Sequence, residues 1–481
     1  MNGSIEQDVS HLNADHLDLK HLDKILALSR NPSDIIEVQD HIIKKLKEEI
    51  QQLRDEVARL KDEKGKPKIL PNVPDIPRDK PNHQVGKSKT WKKKAKITRV
   101  KIDRIQKFCV DRSILPDDAI PKGFRSVVIQ DITFKTCNTE CLLERFYSPS
   151  LKKTFEAKLP KDLQGTSFGS SLKAFAITLH NLGRVTENKI QKILEGIGII
   201  ISEGTISNIM IEEKREEFTA ERNAIFKTGM ENADYFQIDD TGARHAGKNH
   251  YLDVVCNDQF GSFFILGGKS KDDLRSIFGL KEGEQIDKPM VSDAAQQFHS
   301  ISSKQGLCWI HEIRHYRKLT PVLEQHRTLL SGFIDRLWHY YELLADFKEN
   351  PDCGFGAYLE WLFDFIFSPT AKTGYLMLDE TIASTRKRKD RLLKVLIYPE
   401  LPLHNNGSEI AVREGVIKRK ISYGTRSESG KAAWENQLTI LDTCRKQGVS
   451  YFEYILDIIS GSYSMPRLSQ LLMRSKSSTA Y

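Results

Sequence analysis

Long apolar runs are missing from this 481-residue chain. No stretch of about 18 apolar residues occurs, so nothing in it is built to span a bilayer. The opening residues, Met-Asn-Gly-Ser-Ile-Glu-Gln-Asp, have neither the basic start nor the apolar core of a secretory signal. Cysteine is scarce too: seven residues, an odd number, scattered along the chain. They fit reduced thiols in a cytoplasm and exclude a disulfide framework. No Cys-x-x-Cys pair is present, and two His/Cys pairs at zinc spacing are missing, so a structural zinc is not expected. Acid is nearly absent from one region, residues 87–107, although the whole chain carries 73 Lys and Arg against 65 Asp and Glu. The net charge of +8 is therefore concentrated, and it points to an anionic partner.

The length allows about three domains. Residues 1–64 form an arm in which a heptad runs over about 34–64. Ile36, Ile43, Ile50 and Val57 hold one seam position; Gln39, Leu46, Leu53 and Leu60 hold the other. β-Branched residues at one position and Leu at the other predict a parallel two-stranded coiled coil, hence a homodimer or higher assembly. Residues 65–108 read as a linker. Its first half carries Pro67, Pro71, Pro74, Pro77 and Pro81 and should be extended. Its second half, with Lys92, Lys93 and Lys94 beside Trp91, suits phosphate neutralisation. Residues 109–165 read as a small β-rich segment, with strands near 125–134 and 141–147 joined about Cys137–Glu140.

Residues 166–225 predict helices over Ser171–Leu182, from Thr186 through Leu194, and from a Ser202 cap onward. Ile206, Ile209 and Met210 would line the inner face of the last. Helix, glycine-bearing turn and helix fit a helix-turn-helix, with Thr205, Ser207 and Asn208 as the DNA-facing candidates.

The next region carries the chemistry. The apolar strand Tyr235-Phe-Gln-Ile ends in Asp239 and Asp240. Two further strands follow, then a short helix over Lys271–Phe278, then a buried strand ending in Asp293, a helix over 294–303 and a strand before Cys308. That order predicts an α/β, ribonuclease-H-like core over 226–311 and 399–460. Its first and fourth strands lie side by side, which brings Asp239 to Asp293. Adjacent carboxylates repel unless a cation lies between them, so the pairing implies divalent metal. Glu409 supplies a third carboxylate on a later helix. Arg413 lies one turn on and Lys420 returns to the same face after nearly three turns, a set that suits phosphodiester chemistry with metal activation. Residues 312–398 have Leu, Phe, Trp and Tyr at helical spacing. They predict an all-helical insertion, with Trp338 and Trp361 in its core and residues 461–481 left as a C-terminal tail.

The motifs Ile238-Asp-Asp-Thr, Val291-Ser-Asp, Cys308-Trp-Ile-His311-Glu-Ile-Arg314 and Leu401-Pro-Leu-His-Asn-Asn-x-x-Glu, in that order, resemble the DDE transposases of insertion sequence 66 type. The likeness continues through Arg413, Lys418-Arg419-Lys420, Gly424 and Leu441-Asp-Thr-Cys-Arg-Lys-Gln-Gly-Val, and covers roughly residues 35–460. It implies a catalytic and metal-binding triad of Asp239, Asp293 and Glu409 holding two Mg²⁺ or Mn²⁺ ions. Asp239 and not Asp240 takes the first place, because Asp240 stands where the family pattern Asp-Glu-Thr has Glu. Cys308, His311, Arg314, Asn405 and Asn406 would support the site. Lys92, Lys93, Lys94, Thr205, Ser207, Asn208, Arg413, Arg419 and Lys420 would contact DNA. The implied partners are the element's terminal inverted repeats, target DNA and accessory proteins of the same element, in a bacterial, nucleoid-associated setting. Two features depart from the family: its cysteine zinc-finger pairs are missing, and His404 stands where Asp often precedes Asn-Asn. The competing reading is a DNA-binding regulator or domesticated transposase that no longer cuts.

Overall fold

The computed structural model describes residues 39–53 (apart from 41 and 51), 102–159 (apart from 116–119, 121 and 134) and 165–477 (apart from 300 and 371). The proline-rich linker and Lys92–Lys94 lie outside the described residues, as do the heptad positions Ile36, Val57 and Leu60. The chain divides into two units, residues 54–138 and the remainder. In the first, the described residues form only a short 3-10 helix, Arg112–Ile114. The strand expected at 125–134 does not form among the described residues: Val127, Ile129 and Ile132 stay exposed and find no partner strand there.

In the larger unit, a helix that includes residues 42–50 (α1) comes first. A two-stranded antiparallel ladder follows, β1 (Arg145–Ser148) with β2 (Lys153–Glu156). The expected hairpin is thus displaced toward the C-terminus and turns at residues 149–152. Then come four helices, α2 (Ser170–Asn181), α3 (Glu187–Gly196), α4 (Glu203–Ile211) and α5 (Arg215–Asn232). Ser202 caps α4 by accepting the Thr205 N–H. Ile206, Ile209 and Met210 are buried as the periodicity requires.

The central sheet contains β3 (Phe236–His245), β4 (Lys248–Cys256), β5 (Gly261–Leu266), β6 (Met290–Ser292) and β7 (Gln305–Leu307), in the order β5-β4-β3-β6-β7. The first three form an antiparallel meander, while β6 and β7 add in parallel. Ala246 and Gly247 both take positive φ in the β3–β4 turn, as a tight hairpin twist demands. Helix α6 (Lys271–Phe278) precedes β6. The helix expected at 294–303 contracts to the 3-10 turn Gln296–Phe298, bounded on both sides by extended residues. Phe298 and Ile301 instead plug the apolar layer beneath Phe236, Ile238 and Met290.

Helix α7 (Trp309–Arg317) leads into α8 (Glu324–Glu349), α9 (Cys353–Ile366), α10 (Leu376–Arg386) and the short α11 (Lys389–Leu392). On α8, Leu330, Phe333, Leu337, Tyr340, Leu344 and Phe347 recur at three and four residues and build one apolar stripe. Trp338 lies at the edge of this core, but Trp361 does not: it is 58% exposed. Leu359 and Phe363 take the inner face of α9, leaving Tyr358, Trp361 and Phe365 stacked on one another outside. The chain returns through α12 (Asn406–Ser422) and α13 (Glu428–Gln447), which cover one sheet face around Leu252, Val254 and Phe263. Helices α14 (Tyr451–Ser460) and α15 (Leu468–Ser477) share a core with α2–α5. The described part of the expected C-terminal tail, residues 461–477, is therefore not merely a tail: Leu468 and Leu472 are buried in that core.

Candidate active site

β3 and β6 run parallel with Gln237 opposite Val291. Extending that register by two residues sets Asp239 across from Asp293, on strands about 4.8 Å apart. Alternation then sorts the two neighbouring aspartates. Asp239 pairs with Val254 and faces the side covered by α12 and α13. Asp240 pairs with Asp253 on the opposite face, where it accepts from Gln297 Nε2 (2.9 Å) and meets Lys269 Nζ (2.6 Å).

The segment before α12 is stitched to β3 by polar groups. Asn405 donates its amide to the Ile238 carbonyl (3.1 Å), and its N–H goes to the Cys308 thiol (3.2 Å). Gln237 accepts the Ser408 N–H (3.0 Å) and donates to the His404 carbonyl (3.4 Å). Trp309 N–H reaches the Leu403 carbonyl (2.9 Å). Gly407 permits this close approach: a Cβ would come within 2.5 Å of Gln237 Oε1. These bonds fix the first turn of α12 above β3, and Glu409 stands on that turn. Cys308 is buried and burial raises its thiol pKa, so it serves as a neutral brace. Asn406 is exposed beside it.

Glu409 meets α7. Arg314 grips both carboxylate oxygens (3.2 and 3.3 Å), and His311 Nε2 lies 3.6 Å from one of them and 3.1 Å from the guanidinium. Asp293 accepts the Ala295 N–H (3.0 Å), and Asp239 accepts the Asp240 N–H (2.9 Å). The Asp239 carboxyl is pushed up to about 7, first by burial and then by the charges of Asp293, Asp240 and Glu409. The three carboxylates thus share one field. A site with surplus buried negative charge suits a divalent cation, and acid oxygens are the donors that Mg²⁺ or Mn²⁺ takes. Among the described residues, however, no three His, Cys, Asp or Glu groups close around a common point. Arg314 engages both oxygens of Glu409 in this arrangement.

Other expected DNA contacts are distributed unevenly. Arg413 and Lys420 are exposed on α12, whereas Arg419 is withdrawn, donating its guanidinium to the Gly242 carbonyl. On α4, Thr205 is bonded to Ser202 (2.8 Å) and Ser207 is engaged by Glu187, leaving Asn208 exposed. The same helical group is tied to α12 through Arg184 and Glu414 (2.6 Å) and through Lys418 and Asn181 (2.7 Å). Asp253 escaped the sequence reading. It is buried with its pKa well raised by desolvation and by Asp240. Its signal was an acid inside the apolar run Tyr251–Cys256, where a charge must find a partner or stay neutral.

A family model described as Transposase IS66 family matches residues 165–433, more than half of the chain. "Uncharacterized protein y4jO" of Sinorhizobium fredii (strain NBRC 101917 / NGR234) is 39% identical over 171 residues, 36% of this chain and 52% of that protein. The chain thus spans about half the length of this curated relative.

Proposed function

The chain belongs to the IS66 transposase family, and on that premise we propose that it binds the ends of a mobile DNA element and catalyses metal-dependent cleavage and strand transfer. The observation that supports this reading is the parallel β3–β6 register, which sets Asp239 across from Asp293, with the first turn of α12, bearing Glu409, stitched above β3. The strand order, an antiparallel meander continued by two parallel strands, supports a ribonuclease-H-like core. The side on which Asp239 lies supports its place in the triad over Asp240.

Asp239, Asp293 and Glu409 would hold two Mg²⁺ or Mn²⁺ ions. Such ions, when bound, activate an attacking oxygen and stabilise a leaving one. The protein's own residues orient the strand. Arg413 and Lys420 lie on the Glu409 face of α12 and suit phosphates of the DNA running past it. His311 and Arg314 stand at the Glu409 end, where they suit the phosphate to be cut. Water attack would free a 3′-hydroxyl at the element end, and that hydroxyl would then attack a target phosphodiester. No covalent enzyme–DNA link is needed. The helices α2–α4 suit a helix-turn-helix with Asn208 outward, and the exposed seam residues Ile43, Leu46, Ile50 and Leu53 suit pairing of two subunits. No described helix is long and apolar enough to cross a membrane.

The test uses labelled DNA from both flanks of the gene with Mg²⁺ or Mn²⁺. Wild type is compared with Asp293→Asn and Glu409→Gln. Nicking and joining by wild type alone is the expected result. DNA binding by all three proteins without cutting would favour the non-cutting regulator.

A further inference from the structure

The loop that ends α12 presents an unusual residue. Tyr423 is 80% exposed and holds φ +63, a left-handed backbone that a bulky side chain rarely takes. Its surroundings over-determine that conformation. The Tyr423 N–H closes the helix on the Arg419 carbonyl (2.7 Å). Gly424, at φ +153, packs so tightly that a Cβ would lie 2.4 Å from the Arg244 carbonyl oxygen. Thr425 is held between Arg244 and Ala246 by two backbone bonds (3.0 and 2.8 Å), and its hydroxyl meets His245 Nδ1 (2.8 Å). The loop is thus clamped to the β3–β4 hairpin, and the phenol is held out in solvent.

The exposed charge without an ion-pair partner around it is positive. Arg244 and Lys248 on the hairpin are exposed, as are Lys420 and Arg426 beside Tyr423. Among the described residues, no carboxylate lies within ion-pair reach of Lys248, Lys420 or Arg426. The nearest acids in sequence are occupied: Glu414 by Arg184, and Glu428 by Lys431 and His245. Along α12, Arg413 and Lys420 share the face of Glu409, and Tyr423 lies fourteen residues beyond Glu409. That is roughly 21 Å of helix, or about six nucleotide steps of duplex DNA.

We infer that this rim is a second DNA contact: Tyr423 stacks on a base about six nucleotides from the cleavage position, while Lys248, Lys420 and Arg426 face the flanking phosphates. The inference rests on the transposase reading for the identity of its DNA. An exposed aromatic among cations matches a nucleic acid, which offers π-faces and phosphates together.

The full-length protein is titrated onto DNA fragments from the gene's flanks, and permanganate reactivity of thymines reports unstacking. Tyr423→Ala and Tyr423→Gly should lower affinity roughly five- to hundredfold and abolish a local permanganate signal. Tyr423→Phe should keep both. The glycine variant relaxes the left-handed backbone, so its loss of binding cannot be a folding defect if its melting is normal. Lys420→Ala and Arg426→Ala should each reduce the salt slope by about one. Wild-type binding and permanganate pattern in Tyr423→Gly would overturn the inference, as would a change in sedimentation without a change in DNA affinity, which would assign the rim to a protein partner. Tyr423-dependent binding without metal-dependent cutting would uphold the contact while refuting the cleavage chemistry. Failure of wild type to bind either flank would refute both.

Discussion

Replacing Asp239 by Asn should make the metal-free protein more stable, by a margin that opens above about pH 4 and is complete above about pH 7. The carboxyl ionises near 7 in the folded chain against 3.8 for its ordinary value, because it is buried beside Asp293, Asp240 and Glu409. Below pH 4 both folded and unfolded states hold the proton, and no penalty exists. Between pH 4 and 7 the unfolded state has lost its proton while the folded state retains it, so stability falls as pH rises. Above 7 the penalty is complete, about 4 kcal/mol at about 1.4 kcal/mol for each factor of ten. Asparagine keeps an acceptor for the Asp240 N–H and carries no charge. In EDTA, denaturant unfolding at pH 8 should favour Asp239→Asn by about 2–4 kcal/mol once partial relaxation of the site is allowed for, and at pH 4.5 the difference should shrink to about 1 kcal/mol or less. Added Mn²⁺ should narrow the gap at pH 8 by stabilising wild type alone. An equal difference at both pH values, or a less stable variant at pH 8, would refute the claim that crowded negative charge defines this site.

Three further outcomes follow from the packing. Arg388→Ala should cost about 3–5 kcal/mol in chemical denaturation, because it strips the bidentate partner (2.8 and 3.1 Å) from Glu312, which is 3% exposed; adding Glu312→Gln should recover part of the loss. Gly424→Ala should cost at least about 2 kcal/mol in the same assay, since its new Cβ meets a backbone oxygen that cannot yield. Leu46→Asp with Ile50→Asp, both in the exposed seam, should lower the sedimenting mass at micromolar concentration while leaving the melting temperature within about 2 °C.

The neighbouring of Asp239 and Asp293 was legible from the order of strands and helices. With the meander and the strand before Asp293 recognised, a ribonuclease-H-like order sets the first and fourth strands side by side, and β3 and β6 do pair in parallel. The Asn-Asn-Gly-Ser-Glu run was legible as a motif, but its mechanics were not. That Asn405 bonds the Ile238 carbonyl and that Gly407 makes room for Gln237 depend on groups some 170 residues apart. The exposure of Trp361 escaped because helical periodicity shows that two faces differ, not which of two aromatic faces turns inward. Residues 294–303 have helical composition, yet Phe298 is drawn into the layer beneath β3 and β6, and tertiary packing overrides propensity there. Arg419 lies in a basic run that reads as DNA-facing, but its partner is a carbonyl on a distant strand.

Helix α7 has two allegiances. Trp309, Glu312, Ile313 and Tyr316 are buried on the insertion's side, with Trp309 and Tyr316 in its core and Glu312 held by Arg388 and Thr385. His311 and Arg314, from the same nine residues, hold Glu409. The helices of residues 312–398 are therefore not cargo hung on a smaller core. They are the foundation under two of the side chains at the third carboxylate. Any load on them, whether from bound DNA or a second subunit, would register at Glu409 as a tilt of one short helix, and their excision would leave that helix without a footing.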